Sequence, residues 1–123
     1  MRTALLLIAH GSRQTEANDD LFALAEEIRG AHAIVEAAFL ELATPTIETA
    51  GDRCVSLGAE RVVLVPYFLS AGVHVRRDLT EHRDRLATKF ASVEWLLAEP
   101  IGRHPLIREI ITQRAREASE PEA

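Results

Sequence analysis

The chain has 123 residues, 47% of them apolar and 27% charged, with six Gly and five Pro. That is enough apolar content for one packed core, too much for a disordered chain, and too much punctuation for a coiled coil. Fourteen Lys and Arg against nineteen Asp and Glu leave a net charge of −5, without the basic excess that a phosphate backbone demands, so general nucleic-acid binding is set aside.

The first apolar run, Thr3 to Ala9, ends at the polar His10-Gly11-Ser12-Arg13. It is too brief for a signal-peptide core or for the roughly 20 residues that cross a bilayer, and it reads as a buried strand. From Thr15 to Gly30, Ala17, Leu21, Leu24 and Ile28 recur at helical steps. Ala33 to Leu42 is strand-like again. Thr44-Pro45 then offers an N-cap followed by proline at a first helical position, opening a helix with Ile47, Ala50, Cys54 and Leu57 inward and Gly58 suited to a left-handed C-terminal turn. The third unit is a strand from Arg61 to Leu69, weakened at Pro66, then the loop LSAGVHVRR. Asp78 with Glu81 resembles a capping box that opens a helix carrying Leu79, Leu86 and Phe90. The fourth is a strand from Val93 to Ala98, the loop EPIGRH, and a helix opened by Pro105 with Leu106, Ile107, Ile110 and Ile111 inside.

Strands without polar alternation that alternate with helices predict an α/β fold: a doubly wound, parallel, four-stranded sheet with helices on both faces, in the order 2-1-3-4. Residues 1–116 read as one domain, and the acidic segment 117–123 (EASEPEA) as a fraying tail. The single Cys54 forbids an internal disulfide and any multi-thiolate metal centre within one chain, which fits a reducing compartment and predicts a cytoplasmic address.

Ligands of such sheets bind beyond the carboxyl ends of the strands, where successive crossovers depart in opposite directions. In this order the crevice lies between strands one and three, so His10 and His74 face each other across it, with Glu41 ending strand two beside them. Arg13, Arg76 and Arg77 share that edge, and the fourth loop adds Glu99, Arg103 and His104. Two imidazoles and a carboxylate suit a divalent first-row metal. A lone loop His is more often bonded to a neighbouring backbone, and convergence of two on one switch point is what raises the ligand reading. His32 falls on the opposite edge and His82 between Leu79 and Leu86, both structural readings. Cys54 reads as a small buried hydrophobe, and His104 as either a helix cap or a substrate contact. Glu41 follows the apolar AAFL, which predicts burial and hence a cation or several donors beside it. Gly11 and Gly72 read as turn residues.

The segments AHGSR with Asn18 downstream, FLELATP and VPYFLSAGVHVRRDL resemble the class II chelatases of the short, cobalt-inserting type, over most of the chain from Leu5 to about Ile111. The segment after the second histidine often reads Asp-Ile-Pro in that family, whereas here it is Asp78-Leu79-Thr80. The resemblance implies that a divalent metal ion, Co²⁺ before Fe²⁺ or Ni²⁺, is inserted into sirohydrochlorin, with no cofactor beyond that ion. It implies His10 and His74 as metal ligands. Glu41 is then a third ligand, a partner fixing one imidazole, or a base. For the carboxylate-rich ring the forks are Arg13, Arg76, Arg77 and Arg103; Phe68, Leu69 and Val73 meet its flat face, and Ser70, Ala71, Gly72 and His104 complete the substrate edge. Longer relatives carry two such units, so a homodimer is implied; four strands span only about 14 Å at roughly 4.8 Å spacing, too narrow to enclose a tetrapyrrole. No membrane or nucleic-acid partner is expected. Two rivals remain. A phosphohistidine phosphatase would place Arg before the histidine, where Ala9 stands, and a non-catalytic metal carrier would use the same histidines without binding the ring.

Overall fold

The computed structural model describes residues 1–120. Four parallel strands, β1 (Thr3–Ala9), β2 (Ile34–Phe39), β3 (Arg61–Pro66) and β4 (Glu94–Leu97), form one sheet in the order β2-β1-β3-β4. Ala4 lies level with both Ile34 and Val62, which sets the register of the two central pairings. Among the described residues no helix is long and apolar enough to cross a membrane.

The pleat sends alternate side chains to opposite faces. Ala4, Leu6 and Ile8 of β1, with Val62 and Leu64 of β3 and Trp95 of β4, pack under α2 (Ile47–Ser56) and α3 (Val73–Lys89), where Ile47, Ala50, Cys54, Leu79 and Leu86 close the larger core. Leu7, Val35, Ala37 and Phe39 meet Leu21 and Ala25 of α1 (Thr15–Arg29) on the other face. Burial pushes the Cys54 thiol up to about 12, with the Glu36 charge adding to it, as befits a small hydrophobe of the core. His82 packs against Glu48 at the start of α2, with Arg85 beside both. Burial pushes the Glu48 carboxyl up, but the bonds from His82 and Arg85 outweigh it and hold the group below its ordinary value.

Several expected boundaries move. The cap of α2 is Thr46, whose hydroxyl accepts the Thr49 N–H at 3.2 Å, while Pro45 stays outside the helix and its carbonyl takes the Phe39 N–H at 3.0 Å. Leu57 falls at the helix end and is half-exposed, and Gly58 supplies the left-handed turn at φ 100°. β3 stops at Pro66 because proline donates nothing to the ladder. The Asp78–Glu81 capping box does not form. α3 begins at Val73, capped by Gly72, because the apolar stripe of Leu79 and Leu86 continues back to Val75 and nothing in VHVRRD breaks a helix.

The largest departure is the placement of α4 (Leu106–Ser119); the expected tail 117–123 begins within this helix, and its residues 121–123 lie outside the described residues. The helix buries no residue: Leu106 is 62% exposed and Ile111 63%, and it packs against the 3-10 turn at Ile101–Arg103 and not against the sheet. The β4 edge of the sheet on the α1 side is correspondingly uncovered, with Leu96 41% exposed, while Val65 of β3 packs against the α1-side core. Helices do cover both faces, but one of them is covered by α1 alone.

Candidate functional site

The loops leaving β1, β2 and β3 meet at the carboxyl edge. Leu40 N–H donates to Ala9 O and Glu41 N–H to His10 O, both at 2.9 Å, so the β2 end is zipped to the β1 end past the last ladder residue. This brings His10 and Glu41 side by side: Nε2 of His10 lies 2.7 Å from Oε1 of Glu41. In the neutral ring, with the carboxylate accepting, Nε2 carries the proton and Nδ1 the lone pair. Both side chains are half-exposed, 51% and 57%, so the burial expected for Glu41 does not hold; the turn at Leu42, φ 64°, carries the chain outward. The imidazole also meets Phe68 edge to face, with centroids 6.5 Å apart.

Gly11 is what permits this approach. Its φ is 101°, and a Cβ there would stand 1.7 Å from the Glu41 carbonyl oxygen, so a side chain would drive the two loops apart. Gly72, by contrast, has ordinary φ and open space around it, and its place follows from capping.

His74 lies in the first turn of α3 and not in a free loop. Arg77, three residues on and hence on the same face, donates from a guanidinium nitrogen to His74 Nδ1 at 2.8 Å. Arg76 pairs with Glu99 at 2.9 Å, tying α3 to the β4 loop. Leu69, Ser70, Ala71, Arg76, Glu99, Pro100 and Arg103 line a small cavity of about 70 Å³, braced by the Gly102 N–H on Phe68 O at 3.0 Å. Beyond it an apolar groove of about 510 Å³ runs between the 3-10 turn and α4, lined by Ile101, Leu106, Ile107 and Ile110 with Arg103 and His104 at its side. Nδ1 of His104 accepts the Leu106 N–H at 3.1 Å, which is the helix-capping alternative weighed for it. Leu69 of the β3 loop and Val73 at the start of α3 are strongly exposed apolar residues, and Arg13 is exposed on the β1 loop. Among the described residues, no three His, Cys, Asp or Glu side chains are gathered closely enough to hold a metal ion.

The structure thus joins His10 to Glu41 and Phe68 across the loops that follow β1, β2 and β3, and His74 to Arg77 in the first turns of α3. The hold of Arg77 on His74 escapes sequence reading, because it depends on α3 starting at Val73; the i,i+3 spacing becomes a signal only once that start is known.

The CbiX family pattern matches residues 4–118. The chain belongs to the CbiX family. A sirohydrochlorin cobaltochelatase from Sulfolobus acidocaldarius is 33% identical over 93% of this chain and 90% of its own length. A sirohydrochlorin ferrochelatase from Priestia megaterium is 35% identical over 94% of this chain and 44% of its own. The sirohydrochlorin chelatase SirB from Bacillus subtilis subspecies spizizenii, solved in complex with cobalt, superposes with a TM-score of 0.86 at 31% identity, over 95% of this chain and 51% of that one. The chain spans 40% to 50% of the length of the first curated relatives it matches, and the family membership accords with the parallel α/β sheet described above.

Proposed function

We propose that the chain inserts a divalent metal ion, Co²⁺ before Fe²⁺ or Ni²⁺, into sirohydrochlorin, acting as a homodimer in the cytoplasm and needing no cofactor beyond the ion. The observation that carries this reading is the His10–Glu41 pair beside Phe68 at the switch point: a free imidazole lone pair, oriented by a carboxylate, next to an aromatic face. The relatives' names support the substrate class, and both cobalt and iron occur among them.

Insertion exchanges one M²⁺ for two pyrrole protons, and no nucleophile is involved. His10 and His74 hold the ion as it sheds water. As the ion passes to the ring, the imidazoles of His10 and His74 are released and take one pyrrole proton each, and Glu41 steadies the imidazolium formed at His10. Glu41 is then an orienting partner and not a third ligand. Arg13, Arg76, Arg77 and Arg103 receive the carboxylate arms as forks. Phe68, Leu69 and Val73 meet the ring face, while Ser70, Ala71 and Gly72 shape the loop beneath it and His104 borders the groove.

The dimer reading rests on α4. Its exposed stripe and the uncovered β4 edge at Leu96 are two apolar surfaces on one chain that do not meet, and a second copy supplies each with a partner.

The test is anaerobic incubation of the protein with sirohydrochlorin and, separately, Co²⁺, Fe²⁺ and Ni²⁺, following loss of the metal-free spectrum. Acceleration over the uncatalysed rate is the expected result. Metal binding with no acceleration leaves a metal carrier in its place.

A further inference from the structure

Asn18 stands in the first turns of α1, half-buried, with its amide turned onto a single residue. Its Oδ1 accepts the Ser12 N–H at 3.0 Å and its Nδ2 donates to the Ser12 carbonyl at 2.8 Å. One side chain thus engages both main-chain groups of Ser12, as a paired strand would. Asparagine is suited to this because its amide offers a donor and an acceptor together, whereas aspartate offers only acceptors.

Two residues upstream of Ser12 is His10. Between them lies Gly11 at φ 101°, and glycine is the residue least restrained by its own covalent structure. On the upstream side the turn is fixed by β1 and by the Glu41 N–H on His10 O. On the downstream side it is fixed by the Asn18 clamp, helped by the Ser12 hydroxyl, which accepts the Gln14 N–H at 3.0 Å.

We propose that Asn18 is a positioning residue for His10. By clamping Ser12 it closes the Gly11 hinge in the one setting that keeps His10 Nε2–H on Glu41 and leaves Nδ1 unprotonated toward the incoming ion. The proposal rests on the chelatase reading for its catalytic consequence, but not for its structural one. The side chain acts at a distance of two residues and spends its polar atoms on backbone.

The test uses Asn18→Ala, which loses both bonds, and Asn18→Asp, which keeps the accepted one and loses the donated one. On metal-free protein labelled with ¹⁵N-histidine, long-range proton–nitrogen spectra report which ring nitrogen of His10 carries the proton. Wild type should show Nε2–H, N18A a mixture of tautomers, and N18D an intermediate pattern. With sirohydrochlorin and Co²⁺, kcat should fall about 10- to 100-fold in N18A, the range typical of groups that orient a ligand, less in N18D, while KM for the tetrapyrrole stays within about twofold. An unchanged tautomer in folded N18A overturns the proposal, whether or not kcat falls, and so does an unchanged kcat. If N18A does not fold, N18D decides by the same criteria. A wild-type protein without chelatase activity overturns the functional reading instead, and the tautomer spectrum still decides the role of Asn18.

Discussion

In the proposed reaction, Arg77 would compete with the metal ion for His74. Its guanidinium donates to Nδ1 at 2.8 Å, so in the neutral ring Nδ1 is unprotonated and Nε2 carries the proton. An ion arriving at Nδ1 must displace the arginine; an ion arriving at Nε2 must move the proton to Nδ1, which ends the same contact. A first-row ion bonds imidazole at about 2.1 Å, and a guanidinium that has just yielded stands some 5 Å from it. A divalent and a monovalent charge at that distance in water repel by roughly 1.7 kcal/mol. Screening at physiological ionic strength brings this to about 1 kcal/mol, a factor of about five in affinity. Arg77→Ala should therefore bind Co²⁺ about fivefold more tightly than wild type, more so at low salt, while its KM for sirohydrochlorin rises as a carboxylate fork is lost. Calorimetric Co²⁺ titration at two salt concentrations measures this, with Arg76→Ala, whose guanidinium lies on Glu99, as the unchanged reference. An affinity for Co²⁺ in Arg77→Ala equal to or below wild type would refute the reasoning and take His74 out of the metal path.

His10→Ala and His74→Ala should each abolish metal insertion in a protein that still folds, whereas His32→Ala, at the far edge of the sheet, should leave turnover unchanged in the spectral assay. Gly11→Ala should lose about 1–3 kcal/mol to the strained backbone alone and more than tenfold in turnover, read from urea unfolding and initial rates. Because the Cys54 thiol is higher in the folded chain, at about 12 against an ordinary 9.0, its contribution to stability is complete below pH 9 and is lost as pH rises above it. Wild type should fall by up to about 1.4 kcal/mol per pH unit there, a slope that Cys54→Ala removes in alkaline urea titrations. Ile110→Glu with Ile111→Glu should convert a dimer by light scattering into a monomer with little turnover; a dimer that persists would move the interface away from α4.

The order of the sheet was legible because it follows from few constraints. Uninterrupted apolar strands, helices between them and right-handed crossovers leave 2-1-3-4 as the economical arrangement, and Ala4 level with both Ile34 and Val62 is that arrangement in register. The ends of helices were less legible, because capping signals are local and several compete. Thr44-Pro45 and Thr46 are rival starts two residues apart, settled by which hydroxyl reaches Thr49 N–H. Asp78–Glu81 had the composition of a capping box, but Val75 had a core to enter, and burying it carries the helix back to Val73.

The fate of α4 shows a different limit. Its stripe of Leu106, Ile107, Ile110 and Ile111 reads as an inward face, and periodicity reports only that a face is apolar, not which surface receives it. Within the described chain that face stays exposed. The same distinction governs the site. The topology brings His10, Glu41 and His74 to one edge from residue order alone, but which atoms touch depends on two backbone details: the positive φ of Gly11 and the early start of α3. The first puts Glu41 on His10 and the second puts Arg77 on His74. Opposite partners follow for two like residues. A carboxylate that accepts from Nε2 readies the far nitrogen of His10 for a cation, while a guanidinium that donates to Nδ1 withholds the near nitrogen of His74 from one. In the proposed chelatase reaction, a ring bearing carboxylates would be the natural agent to lift Arg77 away, so that His74 would become free when the substrate that receives the metal is already in place.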